Sequence, residues 1–147
     1  MSATDAHTPH ASRSLRTPIL FGFVFGLIQV ASPLGLAWLP TATVQALLLC
    51  FIAAVYVGFA VADGRPRVIA IECVTAFVFV LLASASVTGT AWLLVVGYTG
   101  HGLKDFWQER HHFVANTRWW PPFCACVDFV VALALIIEIA AGAKLHH

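Results

Sequence analysis

Charged residues are scarce in this chain of 147: eight Lys and Arg and seven Asp and Glu make up 10% of it, against 60% hydrophobic residues. Soluble domains carry about 25% charge, so a globule with a water-facing surface is excluded. The formal net charge is only +1, with no basic stripe, so nucleic-acid binding has no support. A soluble-cofactor fingerprint is missing too, since Gly97-x-x-Gly100-x-Gly102 lies in an apolar run with no strand before it; these glycines read as thinning a helix. Four cysteines form no C-x-x-C motif, Cys124-Ala-Cys126 being one residue too tight, and all read as small buried thiols. Internal repeats are not evident.

What remains is a series of long apolar runs. This length holds four or five membrane spans of about 20 residues and leaves no separate soluble domain. The expected fold is all-α, a polytopic membrane helix bundle with five transmembrane helices, or four if the first is removed or interfacial. Residues 1–17, with Arg13 and Arg16 among small and hydroxyl residues, read as a disordered cytoplasmic tail. Residues 18–143 form the transmembrane domain and 144–147 a short C-terminal tail. Spans are expected over 18–39, 41–62, 68–86, 87–103 and 123–143, the fourth continuing as a charged and aromatic helix end over Lys104 to Phe113. The first is interrupted at Ser32-Pro33-Leu34-Gly35. It reads as a true span rather than a signal peptide, because it runs on to Leu39 and lacks a small-x-small cleavage site. Its Gly22 and Gly26, a G-x-x-x-G pair, would let a neighbouring helix come close. Turns are expected at Asp63-Gly64-Arg65-Pro66-Arg67, at 84–90, and in the loop closed by Trp119-Trp120-Pro121-Pro122.

Five spans place Arg13, Arg16, Arg65, Arg67, Lys104, Arg110 and Arg118 on one side and leave Lys144 alone on the other. The positive-inside rule then predicts a multi-pass cell-membrane protein with a cytoplasmic amino terminus. Phe106, Trp107, Phe113, Trp119 and Trp120 read as an interfacial belt that could also roof a pocket.

Of the seven acidic side chains, six lie within or beside apolar stretches, where a carboxylate needs a reason. Glu72 lies just inside the third span, Asp128 just inside the fifth, and His101 and Asp105 where the fourth returns to the cytoplasmic side, so all four share one leaflet. His101 and Asp105 are four apart, on one helical face, with His112 seven further on; Cys124 and Asp128 form a second i, i+4 pair. Three roles fit. As ligands of a divalent cation such as zinc, iron or manganese, the set is His101, Asp105 and Asp128, then Glu72, with His112 and Cys124 ranked after them. As a catalytic acid–base set it is Glu72, His101, Asp105 and Asp128, with Glu72 the acid and His101, oriented by Asp105, the base. As a packing device it is a buried hydrogen-bonded network. A blander reading pairs these acids with Arg65, Arg67 or Lys104 near the headgroups, Asp105 and Glu109 being most open to it because both lie past the last apolar residue. Asp63 reads as a turn residue, His111 and His112 are adjacent so that only one can face the cluster, His146 and His147 read as a frayed end, and Glu138 belongs to another contact.

The pattern Glu72, then His101-x-x-x-Asp105, then Cys124-x-x-x-Asp128 resembles a family of small bacterial integral membrane proteins of unknown function, domain of unknown function 6010. The likeness covers roughly residues 40–135 and implies the topology and the choice of residues, with no activity attached. The expected function is a compact membrane enzyme acting on a lipophilic small molecule among membrane lipids, by isomerisation or cyclisation, or by hydrolysis or oxidation with a metal's help. The alternatives are a proton- or cation-coupled carrier, which at this size would need a homo-oligomer, and a scaffold or accessory subunit.

Overall fold

The computed structural model describes residues 15–115 and 117–146, which contain five helices and no strand: α1 (Arg16–Gly35), α2 (Thr41–Asp63), α3 (Pro66–Thr88), α4 (Trp92–His111) and α5 (Trp120–Ala140). Helices α1, α2, α3 and α5 are long and apolar enough to cross a membrane. Helix α4 has the same length as α1 but carries His101, Lys104, Asp105, Glu109 and Arg110, and falls short on hydropathy for that reason. It packs mainly on α5 and also touches α3 and α2; α1 lies on α5, and α2 on α3.

The bundle is inverted relative to a protein built for water. Phe51 and Ile137 are 67% and 60% exposed, whereas Gln29, Gln45, Glu72, His101, Asp105, Gln108 and Asp128 are buried. Lipid tails solvate the first kind of side chain and leave polar groups to find partners inside the bundle.

Local chemistry explains the helix ends. Gly64 takes the left-handed conformation at φ 80° and its N–H bonds Ala60 O, closing α2 with the αL cap that glycine permits without strain. Pro66 opens α3 and Pro121 and Pro122 open α5, at positions where a missing N–H is harmless. Several boundaries shift by a few residues: α1 ends at Gly35 rather than Leu39, α3 and α5 start at Pro66 and Trp120, and α3 continues to Thr88, so the break expected over 84–90 narrows to a turn at Gly89. The charged and aromatic segment after Leu103 continues α4 to His111, as the helix end expected there. The tail expected over residues 1–17 lies outside the described residues as far as 14, while Arg16 and Thr17 already belong to α1.

Small residues set the close approaches. A Cβ on Gly22 would lie 2.5 Å from Phe123 O, and one on Gly26 2.9 Å from Val130 Cβ, so the G-x-x-x-G pair seats α1 directly on α5. Pro33 has no N–H to offer the Gln29 carbonyl, its natural helical acceptor. That carbonyl is served by Ser32 Oγ at 2.6 Å and Gln45 Nε2 at 3.2 Å, which ties α2 to α1. Tyr98 of α4 completes the network, accepting from Gln29 Nε2 at 2.9 Å and donating to Gln45 O at 2.8 Å.

The C-terminal segment is not a frayed end. Leu145 is buried and its carbonyl accepts the Ala42 N–H at 2.8 Å, one of the donors that the start of α2 cannot satisfy internally. His146 Nε2 meets Ser86 O at 2.8 Å, while His147 lies outside the described residues.

Candidate functional site

The α4 sequence His101-x-x-Lys104-Asp105-x-x-Gln108 places four polar residues on one helical stripe. That stripe faces inward between α2, α3 and α5 and builds a cluster with two ends. At the deeper end, His101 Nδ1 lies 2.8 Å from Asp128 Oδ2 and 3.5 Å from Asp105 Oδ2. The closer carboxylate, and the one in hydrogen-bond geometry, is Asp128 across the helix interface rather than Asp105. Gly102 makes this possible: a Cβ there would sit 3.2 Å from Asp128 Cβ, so α4 and α5 meet where a side chain would hold them apart. The imidazole is held between two aromatic rings, Phe79 at 4.9 Å and Tyr56 at 5.6 Å between centroids.

At the shallower end, Glu72 of α3 receives the Gln108 Nε2 donor on Oε1 and the Lys104 ammonium 2.9 Å from Oε2. Lys104 Nζ also sits 3.9 Å above the Tyr56 ring, a cation–π contact. Tyr56 therefore joins the two ends: its ring faces Lys104 and His101, and its hydroxyl lies beside Asp105 and Cys124 without reaching hydrogen-bond geometry.

All four residues expected at the site are buried, Glu72 and His101 at 1% exposure and Asp105 and Asp128 at none. Asp105 does not sit at the surface as its place past the last apolar residue implied, because its face of α4 turns in beside Tyr56, His101 and Cys124. The earlier starts of α3 and α5 also move the cluster inward: Glu72 is about 9 Å along α3 from Pro66 and Asp128 about 12 Å along α5 from Trp120. One ligand atom from each of His101, Asp105 and Asp128 lies within 4.8 Å of the others, and this triplet is the one metal-competent group among the described residues. Glu72 is instead engaged by Lys104 and Gln108. Cys124 is buried nearby but outside that triplet. His112 is not brought in, because α4 ends at His111 and His112 turns out at φ 47° to an exposed position.

Several groups are unmatched. Both oxygens of Asp105, Asp128 Oδ1, His101 Nε2 and Gln108 Oε1 are buried with no hydrogen-bond partner. Buried polar atoms seldom stay so, since each loses hydration for nothing in return. Gln108, His112, Val114, Thr117, Arg118 and Pro121 line a cavity of about 280 Å³ at this end of the bundle, and Gln108 alone connects it to Glu72.

Of the basic residues expected near the cluster, only Lys104 reaches it. Arg65 instead chelates Asp63, with Nε–Oδ1 at 2.5 Å and Nη2–Oδ2 at 2.7 Å, and donates to Phe113 O. Asp63 Oδ2 also accepts the Ala115 N–H at 2.6 Å. The turn residue thus clamps the α2–α3 and α4–α5 connections together at one end of the bundle, and its hydrogen bonds hold the Arg65 proton more tightly than usual. The aromatic set packs largely on itself and on Phe59, with Trp119 stacked on Phe123 at 4.8 Å, and none of it lines the cavity beside Gln108.

The sequence signal for Lys104 and Gln108 was the inward stripe itself, which one reads only by letting the helix continue beyond Leu103. Tyr56 left no signal in the chain, since an aromatic residue in an apolar run is unremarkable. The chain matches no family model, no curated protein and no solved structure.

Proposed function

We propose that this chain is a small integral membrane enzyme in which Glu72, His101, Asp105 and Asp128 carry out acid–base chemistry on a lipophilic substrate at the cytoplasmic leaflet. The observation that carries the reading is the fully buried cluster from α3, α4 and α5 that keeps unmatched carboxylate oxygens. A network retained only for packing gains by satisfying each member, because every unpaired group in a dry bundle is destabilising. Catalytic groups are held ready for a partner that arrives later.

The two ends suit different tasks. Glu72 and Lys104 are in contact at 2.9 Å, and Gln108 leads from Glu72 to the cavity. His101, Asp105 and Asp128 lie deeper and stabilise positive charge. That combination suits protonation-driven isomerisation or cyclisation, or hydrolysis, of a molecule that dissolves in the bilayer. The cytoplasmic placement follows from the seven basic residues assigned to one side, whose two connecting loops are clamped together by Asp63 and Arg65.

Purified protein in lipid nanodiscs, incubated with a total lipid extract of the host membrane and followed by untargeted mass spectrometry, is expected to form a product that Glu72→Gln and His101→Gln abolish. Identical lipid profiles from wild type and both variants, all folded by circular dichroism, overturn the proposal. A scaffold reading draws on the Lys104–Glu72 pair, which stabilises packing whether or not chemistry occurs. It predicts that the same variants lower the melting temperature and change no lipid.

A further inference from the structure

We infer that His101, Asp105 and Asp128 bind one divalent transition-metal ion, of the zinc, ferrous or manganous kind, between α4 and α5. This deepens the proposed enzyme reading and rests on the same cluster. The donors are in place: an i, i+4 pair on α4 and a third residue brought in by the close approach at Gly102, with one ligand atom from each inside 4.8 Å. Ligand atoms around a tetrahedral ion with bonds of about 2.0–2.2 Å lie about 3.3–3.6 Å apart. The His101–Asp128 and His101–Asp105 separations are 2.8 and 3.5 Å and no pair in the triplet exceeds 4.8 Å, so side-chain shifts of about an ångström seat the ion.

The second observation is Asp105 itself. Its carboxylate is fully buried, is turned toward His101, and has no hydrogen-bond donor on either oxygen. A proton shared between His101 and Asp128 answers one of the four carboxylate oxygens and leaves the other three as they are. Charge balance points the same way. The Lys104–Glu72 pair is neutral by itself, so two carboxylates facing one imidazole leave the deep end negative even with His101 protonated. A dication with a neutral imidazole brings that end to zero, which matters in a dry interior.

One imidazole and two carboxylates form a borderline-to-hard donor set without a thiolate, which disfavours cuprous copper. Three protein ligands leave a coordination position open, the arrangement of catalytic rather than structural sites. Tyr56 supplies outer support, with its hydroxyl beside Asp105 and its ring, with that of Phe79, fixing the imidazole plane. His101 is then a ligand, and Glu72 is left as the group that exchanges protons.

Elemental analysis of protein purified in mild detergent without chelator should find about one such ion per chain. Chelator-stripped protein titrated with Co²⁺ should develop visible bands of four- or five-coordinate cobalt, with no thiolate charge-transfer band. Asp105→Asn and Asp128→Asn should weaken Co²⁺ binding about tenfold or more, while Glu72→Gln and Cys124→Ser leave the bands unchanged. Because a ligand variant can fail to fold, the wild type carries an independent test: its melting temperature should rise on adding Zn²⁺ or Mn²⁺ and fall back with EDTA. Stripped wild type that gives no cobalt bands and no metal-dependent melting shift overturns the inference, as does loss of the bands in Cys124→Ser. Lipid conversion by protein that shows neither cobalt bands nor a metal-dependent melting shift defeats the metal site and keeps the enzyme; metal bound without conversion does the reverse.

Discussion

Breaking the Lys104–Glu72 pair should destabilise the bundle asymmetrically. Two unit charges 2.9 Å apart attract by about 6 kcal/mol at an effective dielectric of about 20, while taking both from water costs several kcal/mol per ion, so the intact pair is close to neutral for stability. Stranding one partner is another matter, and typically costs about 3–5 kcal/mol. Glu72→Gln preserves shape and keeps an oxygen for Gln108 Nε2, so its effect is confined to the orphaned ammonium. Lys104 has an escape: its side chain is 14% exposed and long enough to reach toward the headgroups. Glu72, at 2%, has none. We expect about 2 kcal/mol for Glu72→Gln, about 4 kcal/mol for Lys104→Met, and for the double variant a loss smaller than the sum by about 2 kcal/mol or more. Reversible unfolding in mixed detergent micelles, followed by circular dichroism, measures all three legs of the cycle. Additive losses within about 0.5 kcal/mol, or a larger effect for Glu72→Gln than for Lys104→Met, would refute the argument that this pair is desolvated and coupled.

Other expectations are equally concrete. Gly102→Val places a branched side chain where a Cβ already lies 3.2 Å from Asp128 Cβ and Phe129 Cζ, and should cost about 1–3 kcal/mol in the same unfolding assay; an unchanged midpoint would mean that α4 and α5 do not meet there. Tyr98→Phe removes the acceptor of Gln29 Nε2 and a donor to Gln45 O, for a loss of about 1–2 kcal/mol, and restoring an N–H with Pro33→Ala should blunt the separate effect of Gln45→Leu. Asp63→Asn should loosen the clamp on Ala115, seen as faster amide hydrogen exchange and faster proteolytic nicking across residues 112–119. Reporter fusions should place residue 115 in the cytoplasm and residue 143 outside, and the opposite pattern would reverse the assigned orientation.

The helices were legible because hydropathy and length are coarse signals that tertiary context does not override in a membrane. Helix α4 shows where that logic stops. Its hydropathy falls where its polar stripe begins, so the chain suggests a helix end emerging from the membrane after Leu103, whereas His101, Asp105 and Gln108 are buried by their neighbours and Lys104 turns in to Glu72. Charge read as an exit from the membrane was charge turned inward. Glu72, His101, Asp105 and Asp128 were recognisable as intramembrane ionisable groups, but their pairing was not. Spacing joined His101 to Asp105 within one helix, and the shorter contact to Asp128 depends on Gly102 and on the crossing of α4 with α5. His112 kept the right period and lost the site because its residue position falls one beyond the end of the helix.

The position of Lys104 bears on the chemistry more than any residue singled out in advance. A cation at the shallow end neutralises Glu72, so that carboxylate no longer counts toward the charge of the deep end, and the two carboxylates there must be balanced locally. His101 can balance one of them by holding a proton. The other, Asp105, faces Tyr56 and Cys124, neither of which carries positive charge. An arrangement that places one imidazole against two carboxylates in a buried site, with Lys104 engaged by Glu72, keeps a net negative charge that a further proton on either carboxylate or a cation between the three would cancel. These two solutions differ in what they ask of Asp105: only the second makes it a ligand. Asp105→Asn separates them, because asparagine imitates the protonated acid and should preserve or raise stability in the first case, whereas in the second it should abolish the metal-dependent rise in melting temperature.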